Sequence, residues 1–252
     1  MLLFDAGNSH CKWAWVDNGK WLRQGVLSNS DHAAWQALRD AFAQLESPRK
    51  ILASNVAGAV MEQTLRELCD VWPCPVVFIA AQAEQCGVRN AYVQAAQLGS
   101  DRWAALIAAW QRGHRACLVV NCGTATTVDA LSGTGEFLGG LILPGLQLMQ
   151  LSLQNNTAQL AMEKGELCDF PHNTPDAITS GAMRATIGAI QHQYNLLAAK
   201  GDARCILSGG AANLILPYLD AEVEHVDNLV LHGMQIIGQN CSAMTNMETV
   251  AR

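Results

Sequence analysis

Apolar residues along this chain fall into two arrangements, short continuous runs and stripes spaced three and four apart. Their alternation predicts strands and helices in turn. Leu2 to Phe4 reads as a strand and Cys11 to Val16 as a second. Asp17-Asn18-Gly19-Lys20 then forms a hairpin turn leading into a third strand, Trp21 to Leu27. Alternation along the second strand puts Trp13 and Trp15 on one face, most simply the core. After Ser30-Asp31, suitable as a helix cap, Trp35, Leu38, Phe42 and Leu45 mark one apolar helical face. Ile51 to Ala53 is a short strand, Met61, Leu65 and Leu68 stripe a helix, and Val76 to Ile79 is a strand behind Pro73 and Pro75.

The pattern then starts again. Gly99-Ser100-Asp101-Arg102 opens a helix whose Trp103, Leu106, Ile107 and Trp110 are spaced to pack inward. A strand over 117–120, a glycine turn and a hairpin around Ser132-Gly133-Thr134-Gly135 repeat the opening layout. The apolar stretch from Phe137 to Leu153 reads as core or as interface, core first because an apolar run is usually buried within its own chain. At Asn173-Thr174-Pro175-Asp176 a long helix begins, with Thr174 as cap, Pro175 in the first turn and Asp176 on the dipole, and runs to about Ala198. Cys205 to Leu207 is a strand ending in the turn Ser208-Gly209-Gly210. Three strands followed by strand-helix-strand is the order of a ribonuclease-H-like half. The expected fold is therefore α/β with two such domains, 1–115 and 116–252, and a nucleotide cleft between them.

Composition narrows the function. With half of its 252 residues apolar and 15% charged, the chain buries a large core and leaves little room for disorder. The balance of 16 Lys+Arg against 22 Asp+Glu gives a net charge of −6, without a basic cluster, so no nucleic-acid partner is expected. Nine cysteines, an odd number, sit partly inside apolar runs and glycine turns, which fits a reducing compartment better than a disulfide framework. The opening Met-Leu-Leu-Phe-Asp lacks a basic region, and no apolar run reaches membrane-spanning length, so a soluble, cytoplasmic protein without membrane association is expected.

Chemistry concentrates in two turns. Asp5-Ala6-Gly7-Asn8-Ser9 follows the first strand, and Asn121-Cys122-Gly123-Thr124-Ala125 follows the strand that opens the second half. Each ends an apolar run in a carboxylate or amide, then offers a glycine for close backbone approach and small polar side chains for phosphate oxygens. Either alone is also an ordinary β-turn. Their recurrence in equivalent places, with Lys12 beyond Ser9 to supply charge, favours phosphate binding. Asp129 adds a carboxylate able to approach a cation. A P-loop, a complete dinucleotide glycine loop, a four-ligand zinc pattern and a serine-nucleophile elbow are all missing.

Six ordered motifs make the resemblance specific. They are Asp5-x-Gly7-Asn8-Ser9-x-x-Lys12, Tyr92 with Leu98-Gly99-Ser100-Asp101-Arg102, and Gly123-Thr124-Ala125-Thr126-Thr127-x-Asp129. Gly139-Gly140-x-Ile142-x-Pro144-Gly145, Asn173-Thr174 to Ser180-Gly181, and Ser208-Gly209-Gly210 complete the set. Almost end to end, the chain resembles the type III pantothenate kinases, or Bvg accessory factor family, of the acetate and sugar kinase/Hsc70/actin superfamily. The resemblance implies transfer of the γ-phosphoryl of ATP to pantothenate, the first step of coenzyme A synthesis, with Mg2+ and a monovalent cation, K+ or NH4+. It makes Asp5 a magnesium-phosphate residue, and Gly7, Asn8, Ser9, Lys12, Gly123, Thr124 and Gly209 nucleotide-binding residues. Asp101 becomes the base for the pantothenate hydroxyl, with Arg102 on the substrate and Tyr92, Gly99 and Ser100 around it. By itself Asp101 is equally a helix N-terminal charge. Thr179 resembles a threonine that reaches the partner subunit's pocket, implying a homodimer with the substrate pocket at its interface.

One position departs from the family pattern. Asn121 stands where the family usually has aspartate at the second turn, so a cation held there with Asn121 as ligand loses a negative charge. An altered cation dependence is expected. The alternative from another class is a nucleotide-binding regulatory protein on the same fold that binds ATP without useful turnover; another small-molecule kinase of the superfamily is the third.

Overall fold

The structure, a computed structural model, describes residues 1–155 and 164–250, and the side chains of 1–153 and 164–240. Two compact units divide the chain. The first takes Met1–Arg112 and the segment from Asn228, the second Gly113–Asp227. The division at 112/113 lies close to the expected 115/116, but the chain returns to the first unit at its end instead of closing the second.

Along the first unit run β1 (Leu2–Ala6), β2 (His10–Asp17), β3 (Lys20–Ser28), α1 (His32–Phe42), β4 (Ile51–Asn55), α2 (Ala59–Cys69), β5 (Val76–Phe78), the small hairpin β6 (Glu84–Gln85) and β7 (Val88–Asn90), and α3 (Ser100–Gln111). The sheet has the order β3-β2-β1-β4-β5, with β1 antiparallel to β2 and parallel to β4. The second unit contains β8 (Ala116–Cys122), β9 (Ala125–Leu131), β10 (Glu136–Pro144), α4 (Leu146–Asn155), α5 (Thr174–Ala198), β11 (Ala203–Ser208), α6 (Ala212–Ile215) and β12 (Val223–His225). Its strands follow β10-β9-β8-β11-β12, with β8 antiparallel to β9 and parallel to β11. Numbered by appearance, both units read three, two, one, four, five, which is the ribonuclease-H-like repeat. Finally α7 (Leu229–Val250) packs with α3, β1, β2 and β4 of the first unit.

Side-chain alternation decides which face of each sheet carries the core. In the first unit Leu2, Phe4 and Ala6 turn toward Trp35 and Phe42 of α1 and Met61, Leu65 and Leu68 of α2. Phe42 is the hub, edge-on to Trp13 at 5.5 Å and 5.2 Å from Trp72 between ring centroids. Burying such a ring is worth about 1.5–3 kcal/mol, and Trp13 and Trp15 pack on this cluster as the alternation predicts. The opposite face turns Leu3, Asp5 and Ser54 the other way. In the second unit Leu118, Val120 and Cys122 pack with Met183, Ile190 and Leu197 of α5, leaving Val119 and Asn121 on the other face.

Side-chain caps open α1 and α5. The Asp31 carboxylate accepts from the Ala34 N–H at 3.0 Å, capping α1 as expected. For α5 the cap is Asn173, not Thr174: its backbone is extended and its Oδ1 accepts from the Asp176 N–H at 2.9 Å, one residue earlier than the sequence reading placed it. The stretch from Phe137 to Leu153 is not uniformly core. Phe137 and Leu146 are buried, whereas Ile142 is 64% and Leu153 49% exposed. Among the described residues no helix is long and apolar enough to cross a membrane.

Candidate functional site

Asp5 is the next-to-last residue of β1, between two flanking strands whose register fixes its neighbours. Across the antiparallel ladder it faces Lys12 of β2, and across the parallel ladder Ser54 of β4. Residues opposite one another share a sheet face, so acid, amine and hydroxyl project together. Ser54 is fully buried and shares a hydrogen bond of 2.8 Å with the hydroxyl of Ser100, the first residue of α3. That contact ties the start of α3 to the sheet beside Asp5.

Asp101 is the next residue of α3. Its Oδ1 accepts from the Arg102 N–H at 2.8 Å. A side chain on Gly99 would come within 2.6 Å of that same oxygen, so the glycine makes room for the carboxylate. The charge of Asp101 reaches Asp5: burial first, then that charge, push the Asp5 carboxyl up to about 7, against the opposing pull of Lys12. Burial also raises Asp101, opposed by the Arg102 N–H and guanidinium. Arg102 is buried, not a surface charge. Its Nη1 donates to the Tyr92 hydroxyl at 3.2 Å, with the guanidinium 5.9 Å from the ring centroid. Tyr92 is itself placed by Asn90, whose Oδ1 accepts from the Tyr92 N–H at 3.0 Å.

The turn after Asp5 is closed by the Gly7 N–H donating to the His10 carbonyl at 3.0 Å, and Asn8 and Ser9 are exposed at its tip. The structure thus brings Asp5, Gly7, Asn8, Ser9, Lys12, Tyr92, Gly99, Ser100, Asp101 and Arg102 into one unit, with Asp5, Lys12 and Asp101 electrostatically coupled. Two neighbouring carboxylates with raised proton affinity, no hydrogen-bond donor to Asp5 among the described residues, and a lysine alongside form a donor set that suits a divalent cation carrying phosphate. No cluster of three His, Cys, Asp or Glu residues able to enclose a metal occurs among the described residues.

The second unit repeats the frame with different chemistry. Asn121 occupies the place of Asp5, facing Thr127 of β9 where Asp5 faces Lys12, and Ser208 of β11 where Asp5 faces Ser54. Acid and amine are replaced by amide and hydroxyl. Asp129, two residues beyond Thr127 and on the same face, is buried. The Gly123-Thr124 turn is closed by the Gly123 N–H donating to the Ala125 carbonyl at 3.0 Å. Gly209 follows β11 at φ +99°, and a Cβ there would collide with the Cys122 backbone, so this packing alone requires glycine. Thr179 lies half-buried on α5, its Oγ1 accepting from Gln150 Nε2 at 3.3 Å. Sequence reasoning missed Ser54, which sits in an unremarkable Ala-Ser-Asn strand end and is revealed only by register.

Two β-sheet units of one topology, each with a polar turn after its first strand, are the acetate and sugar kinase/Hsc70/actin fold, and the acid-lysine pair beside one turn suits phosphoryl chemistry. A solved structure from Campylobacter jejuni, a conserved Baf family protein described as a transcriptional activator, superimposes with a TM-score of 0.61 at 22% identity, covering 96% of this chain and all of that one. One from Sinorhizobium meliloti, described as a 2-dehydro-3-deoxygalactonokinase, gives 0.54 at 14% identity over 95% of this chain and 98% of that one. The family model for type III pantothenate kinase matches residues 1–196. A type III pantothenate kinase of Nitrosospira multiformis is 46% identical over 253 aligned positions, covering this whole chain and 95% of the relative. The chain belongs to the type III pantothenate kinase family. It is a kinase, with ATP-dependent phosphorylation of pantothenate in coenzyme A biosynthesis as its reaction.

Proposed function

We propose that Asp101 is the general base that takes the proton of the pantothenate hydroxyl as that oxygen attacks the γ-phosphorus of ATP and ADP departs. The observation that carries this reading is the Ser54–Ser100 hydrogen bond, which holds the Asp101 end of α3 beside Asp5 and Lys12. A carboxylate whose proton affinity is raised by burial accepts a proton better at neutral pH. The polar turn Gly7, Asn8, Ser9, with Lys12, holds phosphate oxygens of ATP, and Gly123, Thr124 and Gly209 are nucleotide-binding residues as well. Asp5 holds magnesium, which when bound neutralises charge developing on the transferred phosphoryl group. Buried Arg102 pairs with the carboxylate of pantothenate, next to Tyr92, Gly99 and Ser100.

A monovalent cation, K+ or NH4+, is part of the same reading, with Asn121 as one neutral ligand. We further propose a homodimer in the cytoplasm whose substrate pocket is completed by Thr179 of the partner subunit. Exposed Ile142, Leu148 and Leu153 supply apolar surface for association. Light scattering at twice 27.1 kDa supports the dimer, and a monomer mass removes it.

The decisive experiment measures phosphopantothenate formed from ATP and magnesium, with K+, NH4+ or neither, for wild type and Asp101→Asn. Expected is a loss of kcat of the order of 10²–10⁴-fold with nucleotide binding retained. A variant as active as wild type removes Asp101 from the chemistry. A wild type that binds ATP yet makes no product under any cation turns the reading toward a regulatory nucleotide-binding protein.

A further inference from the structure

Asn29 follows the last residue of β3 and was singled out by nothing in the sequence, yet two of its groups reach the phosphate turn. Its Nδ2 donates to the Gly7 carbonyl at 2.8 Å, and its backbone N–H donates to the Ser9 carbonyl at 3.0 Å. The Gly7 N–H is already engaged with the His10 carbonyl. Gly7 therefore has both of its backbone polar groups tied back into the protein.

The consequence follows from peptide geometry. In a trans peptide the carbonyl and the next residue's N–H point in opposite directions, and the described chain has no cis peptide bond. Fixing the Gly7 carbonyl on Asn29 turns the Asn8 N–H the other way. An exposed turn between two strands has several orientations open to its peptides, and the side-chain amide of Asn29 selects one of them. Its Oδ1 is buried and meets no donor. The reversed amide would set oxygen against the Gly7 carbonyl oxygen, so the donor is the half of the amide that the turn uses.

The second unit restrains its own turn by a different donor. The Thr124 carbonyl accepts from the Gly145 N–H at 2.9 Å, at a place where any Cβ would strike the Gly123 carbonyl. Both polar turns thus have a carbonyl tied back, once by a backbone amide and once by the Asn29 side chain.

We propose that Asn29 is a positioning residue for nucleotide binding: by holding the Gly7 carbonyl it presents the Asn8 N–H to a phosphate oxygen of ATP. The proposal rests on the reading of Gly7, Asn8 and Ser9 as a phosphate turn. Binding of ADP with magnesium is measured by calorimetry, alongside KM for ATP, KM for pantothenate and Tm, for wild type, Asn29→Asp, Asn29→Ala and Lys12→Ala. Asn29→Asp keeps the size of the side chain, removes the donor and sets a carboxylate oxygen toward the Gly7 carbonyl. For both Asn29 variants the expected result is a rise of about 10-fold in the ADP Kd and in KM for ATP, with KM for pantothenate unchanged. A purely structural role lowers Tm and leaves nucleotide affinity alone, and that result overturns the proposal. Should the Asn29 variants bind ADP like wild type while Lys12→Ala binds it more weakly, the phosphate turn stands and the role of Asn29 falls. If Lys12→Ala also binds normally, the phosphate-turn reading fails and takes this proposal with it.

Discussion

Asp5 sits in a contradiction that the rest of the site resolves. A half-buried carboxylate at a strand end beside a second carboxylate is an unfavourable place for negative charge, and only Lys12 opposes the penalty. Unfolded, the residue titrates near 3.8, whereas in the folded chain it holds its proton up to about 7. Between those values the native state binds more protons, so this contribution to stability is fully present below the lower value and disappears as pH rises through the upper one. Discounted for partial exposure, the ligand-free protein loses on the order of 2 kcal/mol through this group above pH 7. Asp5→Asn is expected to raise Tm at pH 8, to flatten the difference in Tm between pH 8 and pH 5.5, and to abolish the extra stabilisation that magnesium and ADP give wild type. An Asp5→Asn protein with the wild-type pH dependence of Tm refutes this account. Asp5 and Lys12 stood out in the sequence because turns and glycines leave local marks, whereas Asp101 by itself read as a helix N-terminal charge and was singled out only by the family resemblance. Ser54 and Asn29 were not, because their roles depend on strand register and on a hydrogen bond to a residue 22 positions away.

At the scale of elements the site depends on how α3 meets β4. Ser54 and Ser100 are both buried, so removing either hydroxyl leaves the other without its partner in a dry place. Ser54→Ala is expected to cost about 1–3 kcal/mol of stability and to lower kcat while leaving the ADP Kd close to wild type, since the displaced element carries the base and not the phosphate turn. Thermal denaturation paired with kinetics separates the two effects, and a variant that loses stability at full kcat shows that the tether is structural only. The strands and the first helices were readable from alternation and spacing. By contrast α7 was missed: its first two turns are buried on both sides, so the amphipathic stripe that marks a surface helix is absent there. The hairpin β6–β7 was missed because strands of two and three residues are too short to show a period.

The whole molecule is one topology used twice with unequal chemistry. The position held by Asp5 between Lys12 and Ser54 in the first unit is held by Asn121 between Thr127 and Ser208 in the second. The duplication was legible as a repeated order of elements, and the asymmetry as a single amide where the resembled family has an acid. Register adds what the sequence could not, that the lysine opposite is replaced as well, so the second turn carries neither charge of the first. A cation bound beside Asn121 is held by dipoles where an aspartate would supply a full charge. Asn121→Asp is therefore expected to shift the K+ and NH4+ activation curves to lower concentration, by roughly 10-fold if the added carboxylate contributes about 1.4 kcal/mol to cation binding. Titration of both cations against wild type and variant, at constant ionic strength, measures the shift. Identical half-saturation concentrations would mean that the amide costs the site nothing and that buried Asp129 or the nucleotide itself supplies the charge.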